Sequence, residues 1–428
     1  MQIDLLYGKS GISVDLPNQW DITVINKPAM PLIQDVESTV SELLHFNELK
    51  KITNGCASAC ILVCDITRPV PNHTFLRPLI ENLIRVGIRR DQITVLIATG
   101  LHRPNQGKEL ESVIRDEWVL NNVLVTNHFA LDDHAHVDLG LTSRGTPIKL
   151  DRRFIEADFK VATGLVEPHF MAGYSGGRKV VAPGIAHADT IRTFHSAKFM
   201  EDPLAVQCNV DGNPLHEEQL EIMDLVQEHT RSTIYAINTV IDDERQLSFI
   251  NFGPIVDSHN AAIEHVHQYC TVAVERRFNT IISSAAGFPL DKTYYQTVKG
   301  MVTPMDLFHQ NATLIVASDC SEGLGSDAYR QSQRNLLKEG PDNFLSRILT
   351  KKMADIDEWE TEMQLKSQRI ATIKLYSEGL QGLDRELTGV DLIDSIEKAA
   401  HESVVRSKSN AVAVIPEGPY VVPQYSST

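Results

Sequence analysis

The sequence has little of what marks a secreted, membrane-spanning or disulfide-stapled protein. Its 428 residues include six cysteines, scattered and without a CxxC pair, which excludes a disulfide framework and a thiolate zinc site. No apolar run approaches the ~20 residues that span a bilayer, and the start MQIDLLYGKSG lacks the regions of a signal peptide. We therefore expect a protein of the reducing cytoplasm, without a membrane partner.

Positive charge is also scarce. The chain has 40 Lys and Arg against 56 Asp and Glu, a formal net charge of −16. Nucleic acids and anionic membranes are bound by clustered basic residues, so neither is an expected partner. An anionic ligand would have to be held by local basic residues.

What is present is an α/β rhythm. Short apolar, β-branched runs alternate with amphipathic segments, which is typical of βαβ units and a mostly parallel sheet. Three runs, residues 59–64, 92–98 and 158–162, each lead into a segment rich in reactive side chains. Because ligands bind beyond the carboxyl ends of parallel strands, we expect these three segments to converge on one crevice.

The length and the 42% hydrophobic content predict two domains. We expect an N-terminal α/β domain over 1–272 and a smaller α/β domain over 275–400, both with mostly parallel sheets, and an active-site crevice between them. The final segment, about residues 405–428, is a candidate to pack back on the first domain.

Two glycine-rich turns invite a phosphate-binding interpretation. GYSGGRK fails the P-loop pattern, because the spacing before Lys179 is wrong and Val180 replaces Ser or Thr. GLGSDA (323–328) is similar to a dinucleotide fingerprint, but polar residues separate it from the preceding strand and no acidic residue ends a second strand convincingly.

Two of the 16 histidines stand out. His102 and His169 each follow a predicted strand end, where a side chain faces the crevice. Two imidazoles at one rim can act as an acid/base pair near neutral pH. His195 lies in the helical stretch ADTIRTFHSAKF, where an ordinary helix-surface residue is the simpler interpretation.

Four motifs together resemble the lactate racemase family of nickel-pincer nucleotide enzymes. They are DITRPVP, ATGLHRP, EPHFMAGYSGGRK with PGIAHADTIRTFH, and YYQTVKG, in the family's order and with near-family spacing. The resemblance covers most of the chain and is densest between residues 65 and 195.

The resemblance implies a cofactor. It is pyridinium-3-thioamide-5-thiocarboxylic acid mononucleotide, covalently attached at Lys179, with Ni²⁺ held by its two sulfurs, a ring carbon and His195. The glycines before Lys179 would leave room for the tethered nucleotide. Imidazole suits nickel, and one protein ligand suffices when the cofactor supplies the other donors. The loop matching the family's cofactor-contacting segment consists of Asp65, Ile66, Thr67 and Arg68.

The resemblance also implies an activity, the racemisation or epimerisation of a 2-hydroxy acid, lactate-like or larger. His102 and His169 match the catalytic histidines, one taking the hydroxyl proton while hydride passes to the cofactor and a 2-keto acid forms transiently. No amino-acid side chain accepts hydride, so a cofactor is needed. The substrate-binding positions are Arg68, Tyr295, Gln296, Lys299 and Trp359.

Two alternatives stay open at this point. A nicotinamide-dependent 2-hydroxy acid dehydrogenase would need GLGSDA as a real fingerprint, and a non-catalytic protein binding an anionic ligand or nucleotide would leave the histidines expendable. The preferred interpretation is an isomerase whose nucleotide cofactor is supplied by cofactor-biosynthesis enzymes. The sequence leaves homo-oligomerisation open.

Overall fold

The computed structural model describes residues 1–426 and divides into two compact units. Unit I comprises Ala29–Phe194 and Asn209–Gln268. Unit II comprises Met1–Pro28, His195–Cys208 and the chain from Tyr269 onward. Each unit is therefore assembled from segments that are distant in sequence.

The strands are short and run through both units. In chain order they are β1 (Gln2–Leu5), β2 (Ile12–Asp15), β3 (Asp21–Val24), β4 (Ala59–Cys64), β5 (Ile93–Ala98), β6 (Leu124–Asn127), β7 (His136–Leu141), β8 (Pro147–Asp151), β9 (Phe159–Leu165), β10 (Pro168–His169), β11 (Gly173–Tyr174), β12 (Ile234–Ile241), β13 (Leu247–Pro254), β14 (Thr271–Val274), β15 (Phe278–Ser284), β16 (Phe308–Ala317), β17 (Ala371–Tyr376), β18 (Asp391–Ile393), β19 (Ala411–Ile415) and β20 (Val422–Tyr425).

The helices alternate with these strands. They are α1 (Val36–Leu43), α2 (Phe46–Ile52), α3 (Asn72–Val86), α4 (Lys108–Ile114), α5 (Glu117–Asn122), α6 (Arg152–Glu156), α7 (Arg178–Val181), α8 (Ala188–Phe194), α9 (Ala197–Met200), α10 (Pro214–Thr230), α11 (Ile255–Cys270), α12 (Tyr294–Val302), α13 (Asp327–Glu339), α14 (Pro341–Leu349), α15 (Glu358–Gln368), α16 (Leu383–Glu386) and α17 (Ile396–Ser407). Single 3₁₀ turns lie at Arg90–Gln92, Asp133–Ala135, Leu290–Lys292, Met305–Leu307 and Gly418–Tyr420.

Unit I is built on a six-stranded sheet in the order β13-β12-β9-β4-β5-β6. All neighbours are parallel except β13, which pairs antiparallel with β12. Every residue of β9 and all but the last of β4 are buried, as expected for parallel strands covered on both faces. Phe75, Leu76 and Leu79 of α3 belong to the core beside the sheet.

Unit II is built on a second six-stranded sheet, in the order β18-β17-β16-β15-β19-β3, and all of its neighbours are parallel. Ile396, Ala399 and Ala400 of α17 join its core, spaced so that they share one helix face. Two α/β units with mostly parallel sheets confirm the predicted fold class.

The domain limits differ from the sequence-based division. The predicted boundary near 272–275 lies close to Tyr269, but residues 1–28 and 195–208 belong to unit II. The last two strands pair within unit II, β19 between β15 and β3 and β20 with β14, so the described part of the final segment belongs to unit II and not to the first domain. Residues 427–428 of the final segment lie outside the described residues. Pairing such as Ala411 with Asp21 joins positions too far apart in sequence for a local pattern to show.

Through the whole of residues 1–426, no helix combines the length and the apolar character that crossing a membrane would require.

Candidate active site

Three loops of unit I meet at one edge of its sheet. Strands β9, β4 and β5 are parallel neighbours, so the loops that follow them leave from the same carboxyl edge. These loops carry Asp65 after β4, His102 after β5, and Glu167 with His169 after β9. The predicted convergence of the three segments is confirmed.

Asp65 and His102 form a short polar contact at this edge. His102 Nδ1 lies 2.6 Å from Asp65 Oδ2, and the other carboxylate oxygen accepts hydrogen bonds from the Thr67 backbone N–H at 3.2 Å and from its hydroxyl at 2.5 Å. Asp65 is buried, whereas the His102 side chain is 61% exposed. Asp65 thus holds Nδ1 of the His102 ring in place, while most of the His102 side chain is exposed to solvent.

The ionisation state of Asp65 follows from these contacts. Burial works to raise its pKa, but the hydrogen bonds from His102 and Thr67 and the positive charge of Arg68 outweigh that effect and hold the pKa below its usual range. An ionised Asp65 accepts the Nδ1 proton of His102, so a neutral His102 keeps its lone pair on Nε2. This is the tautomer that a general base requires.

Arg68 forms an ion pair with Glu167, and each side chain is about a quarter exposed. Glu167 went unnoticed in the sequence, although it directly precedes Pro168 and His169 in the EPH motif. The guanidinium of Arg68 is therefore already partnered by a carboxylate at this edge.

His169 has a different environment from His102. It lies in the β10-β11 hairpin, is buried, and packs on the Phe170 ring with centroids 5.1 Å apart. Its Nδ1 accepts long hydrogen bonds of 3.3 Å from the backbone N–H groups of Met171 and Ala172. In its neutral form the ring then carries its proton on Nε2, which makes it a donor.

The glycine-rich turn packs tightly instead of leaving open space. Gly176 and Gly177 have φ of +76° and +45°, and a Cβ on Gly177 would lie 2.3 Å from His259 Cγ. At Gly177, the room that the sequence suggested for a nucleotide is taken by His259. The turn begins α7, where Lys179 is partly exposed between the buried Arg178 and Val180.

Arg178 is a buried cation that sequence reasoning missed. Its NH2 lies 2.7 Å from Nε2 of His216, while Nε and NH1 have no hydrogen-bond partner within the described residues. Burial lowers the pKa of Arg178 to about 9, and burial together with the Arg178 charge lowers the pKa of His216 to about 3. His216 is therefore a neutral acceptor. In the sequence, only the position of Arg178 next to Lys179 could have drawn attention to Arg178.

In unit II, three of the predicted residues lie together. The buried His195 ring lies 5.1 Å from that of Trp359, and Trp359 Nε1 donates to the Tyr295 hydroxyl at 3.2 Å. These contacts bring Trp359 together with Tyr295 and His195; its substrate-binding role stays a prediction. His195 belongs to unit II and not, as predicted, to the domain of the catalytic histidines.

Gln296 and Lys299 follow Tyr295 on α12, and Lys299 lies close enough to Glu360 to affect its ionisation. Burial raises the pKa of Glu360 to about 8, the Lys299 charge acts to lower it, and Asp357 acts to raise it. Glu360 is buried, and its Oε1 has no hydrogen-bond partner among the described residues. Sequence reasoning missed this carboxyl beside the proposed carboxylate-binding lysine.

The GLGSDA turn is filled by a side chain of the protein itself. The Leu324 backbone N–H donates to Asp384 Oδ2 at 2.9 Å, and a Cβ on Gly323 would lie 2.4 Å from the same oxygen. Arg330 pairs with the same carboxylate. The protein's own Asp384 therefore takes the anion position that a dinucleotide would need.

Comparison with known families decides between the remaining interpretations. A model of the lactate racemase N-terminal domain matches residues 7–207, and a model of the lactate racemase C-terminal domain matches residues 274–422. The chain belongs to the lactate racemase family. It is accordingly an isomerase, and neither a dehydrogenase nor a non-catalytic binding protein is supported.

Individual relatives agree with the family. The chain is 27% identical to a lactate racemase of Thermoanaerobacterium thermosaccharolyticum over 370 residues, 84% of each chain. It is 28% identical to a lactate racemase of Lactiplantibacillus plantarum over 333 residues, 77% of this chain and 76% of that one.

Two solved structures share the fold. The lactate racemase apoprotein of T. thermosaccharolyticum has a TM-score of 0.89 at 24% identity, covering 99% of this chain and 100% of that chain. A protein from Thermotoga maritima has a TM-score of 0.69 at 18% identity, covering 93% of this chain and 99% of that chain. At these identities the likeness is evidence of fold alone.

The role of Asp65 in this lactate racemase family member is testable with Asp65→Asn. The amide can donate to His102 Nδ1, so we expect the ring to move to the Nε2–H tautomer and racemisation to fall by on the order of 10²-fold or more, because the base has lost its lone pair. Nitrogen-15 NMR of histidine-labelled protein reports the tautomer, with His102 assigned by His102→Gln.

The matched control is Asp158→Asn. Asp158 lies at the opposite edge of the same sheet, where it accepts from the backbone N–H groups of Ala57 and Ser58 at 2.9 and 3.0 Å. This variant should leave the His102 tautomer unchanged. An unchanged tautomer in Asp65→Asn would show that Asp65 does not set it.

Proposed function

We propose that this protein interconverts the stereoisomers of a 2-hydroxy acid, lactate-like or larger, with a lysine-tethered nickel-pincer nucleotide and through a 2-keto acid. The observation that carries the proposal is the convergence of Asp65, His102 and His169 at the carboxyl edge of three neighbouring strands. The pattern suits two proton transfers at a substrate oxygen. Membership of the lactate racemase family supplies the reaction class.

The residues present are chemically suited to the proposed cofactor. Lys179 offers a partly exposed primary amine, and His195 offers an imidazole, a donor that nickel accepts. In the described part of the chain, no three His, Cys, Asp or Glu side chains are grouped so as to hold a metal ion. In the proposal, the cofactor supplies the remaining nickel donors.

We assign Lys179 as the covalent anchor and His195 as the metal ligand, with the Asp65, Ile66, Thr67 and Arg68 segment as the cofactor-contacting loop. When bound, the cofactor supplies the hydride acceptor that no amino-acid side chain provides. The proposal entails that cofactor-biosynthesis enzymes act on this protein or upstream of it.

His102 is the proposed base for one stereoisomer. Its Nε2 takes the hydroxyl proton, and Asp65 stabilises the imidazolium that results through the 2.6 Å hydrogen bond. His169, with its proton on Nε2, is the proposed donor to the carbonyl oxygen on the return step. The two rings thus begin in complementary states.

The reverse direction asks His169 to act as the base. Its Nδ1 must then carry the proton and give up the hydrogen bonds from Met171 and Ala172. At 3.3 Å these bonds are longer than the usual range, so they oppose the change only weakly. His169 can therefore serve the opposite stereoisomer.

The substrate carboxylate needs positive charge, and we propose Arg68 and Lys299 for this role, with Tyr295, Gln296 and Trp359 as further substrate-binding residues. Arg68 offers a planar fork of donors, but it must share them with Glu167. Lys299 lies near Glu360, whose raised pKa keeps that carboxyl largely protonated at neutral pH.

Intact-mass spectrometry with nickel analysis tests the proposal on protein made in a host that builds the cofactor. Wild-type protein should carry a covalent addition on Lys179 and close to one nickel per chain. Lys179→Arg should lose both the addition and racemisation, whereas His195→Gln should keep the addition and lose most of the nickel, because only the metal ligand is removed.

Lys198→Arg is the matched control, since Lys198 is an exposed lysine on α9. It should retain the addition, the nickel and the activity. An unmodified Lys179 in wild-type protein from this host would overturn the proposed cofactor.

Solvent isotope incorporation tests the mechanism separately. During racemisation in heavy water, the product should hold essentially no deuterium on the reacting carbon, because the carbon-bound hydrogen leaves and returns as hydride without exchanging with water. Mass spectrometry of the product measures this, and extensive incorporation would point instead to abstraction of the carbon-bound proton.

A further inference from the structure

Two cysteines of unit II lie side by side although 62 positions separate them in sequence. Cys208 Sγ and Cys270 Sγ are 4.0 Å apart. Cys208 ends the segment His195–Cys208, and Cys270 is the last residue of α11. The chain between them contains residues 209–268, the second part of unit I. Cys208 is the last unit II residue before that part, and Cys270 lies just after the chain re-enters unit II at Tyr269.

The spacing is close to that of a bonded pair. A disulfide requires an S–S distance of about 2 Å, and χ1 rotations move a thiol sulfur by more than the remaining gap. Cys208 also has a left-handed backbone, with φ of +54°, a conformation that favours glycine. The surrounding structure therefore holds Cys208 in place facing its neighbour.

The two thiols differ in access, and the pKa of Cys270 is raised. Cys208 is partly exposed and Cys270 is buried. The hydrogen bond with Cys208 raises the pKa of Cys270, and burial raises it further. An oxidant from solution would thus meet Cys208 first and leave Cys270 as the second reactant.

We propose that Cys208 and Cys270 are a site of reversible oxidation, at which a low-molecular-weight disulfide converts the two thiols into an intramolecular disulfide. The Cys208 thiolate attacks the oxidant, which forms a mixed disulfide and releases one small thiol. Cys270 then loses its proton and attacks Cys208 Sγ, which releases the second small thiol. Two protein thiols are oxidised and one disulfide is reduced, so atoms and electrons balance.

The bond would tie down the segment that carries His195. Residues 195–208 would be joined covalently to the start of β14, and the 209–268 part of unit I would be closed into a loop. Reduction would restore the open chain. The site lies outside the proposed catalytic residues, and its chemistry does not depend on the proposed cofactor.

The test is peptide mapping of the native full-length protein after incubation with glutathione disulfide and alkylation of the remaining thiols. Trypsin yields the peptides 199–231 and 246–276, in which Cys208 and Cys270 are the only cysteines. Most of the protein should give these peptides joined, with the summed mass less two hydrogens, and dithiothreitol should separate them.

Single variants test the proposed order. Cys270→Ser should stop at glutathione bound to Cys208, whereas Cys208→Ser should leave Cys270 as an alkylatable thiol. Cys56→Ser, at a partly exposed cysteine of unit I, should still give the joined peptides. The proposal is overturned if wild-type protein keeps both thiols, or if it accumulates a mixed disulfide on Cys208 without the joined peptides.

Discussion

The hydrogen bond between Asp65 and His102 is the interaction on which the proposed function of this molecule depends. It links the loops after β4 and β5, which leave the same edge of the unit I sheet because the two strands are parallel neighbours. A buried carboxylate is costly unless it is well paired, and here His102, Thr67 and Arg68 keep Asp65 ionised. The ionised carboxylate selects the tautomer of an exposed histidine.

The edge of the sheet and its reactive loops could be predicted from sequence, because buried parallel strands read as continuous apolar runs and ligands bind beyond their carboxyl ends. The location of His102 and His169 at this edge could be predicted from their positions after the strands alone. Lys179 and His195 needed the family resemblance, since a lysine in a glycine-rich turn and a histidine at a helix end carry no distinguishing pattern. The roles of all four residues stay predictions.

Other features depend on contacts that no local pattern contains. The Arg68 to Glu167 pair, the buried Arg178 beside His216, and the filling of the GLGSDA turn by Asp384 each join residues from separate elements. The same holds for the membership of 1–28 and 195–208 in unit II, which β3 illustrates by pairing with β19. Tertiary packing decides all of these.

The central claim is that His102 and His169 each serve as the base for one stereoisomer. Rapid-quench measurement of the 2-keto acid formed by stoichiometric holoenzyme, from each enantiopure 2-hydroxy acid in turn, tests it in His102→Gln and His169→Gln. Each variant should lose keto acid formation from one enantiomer by about 10²-fold or more and keep it from the other, with the affected enantiomer reversed between the variants. Loss from the same enantiomer in both variants, or from neither, would contradict the account.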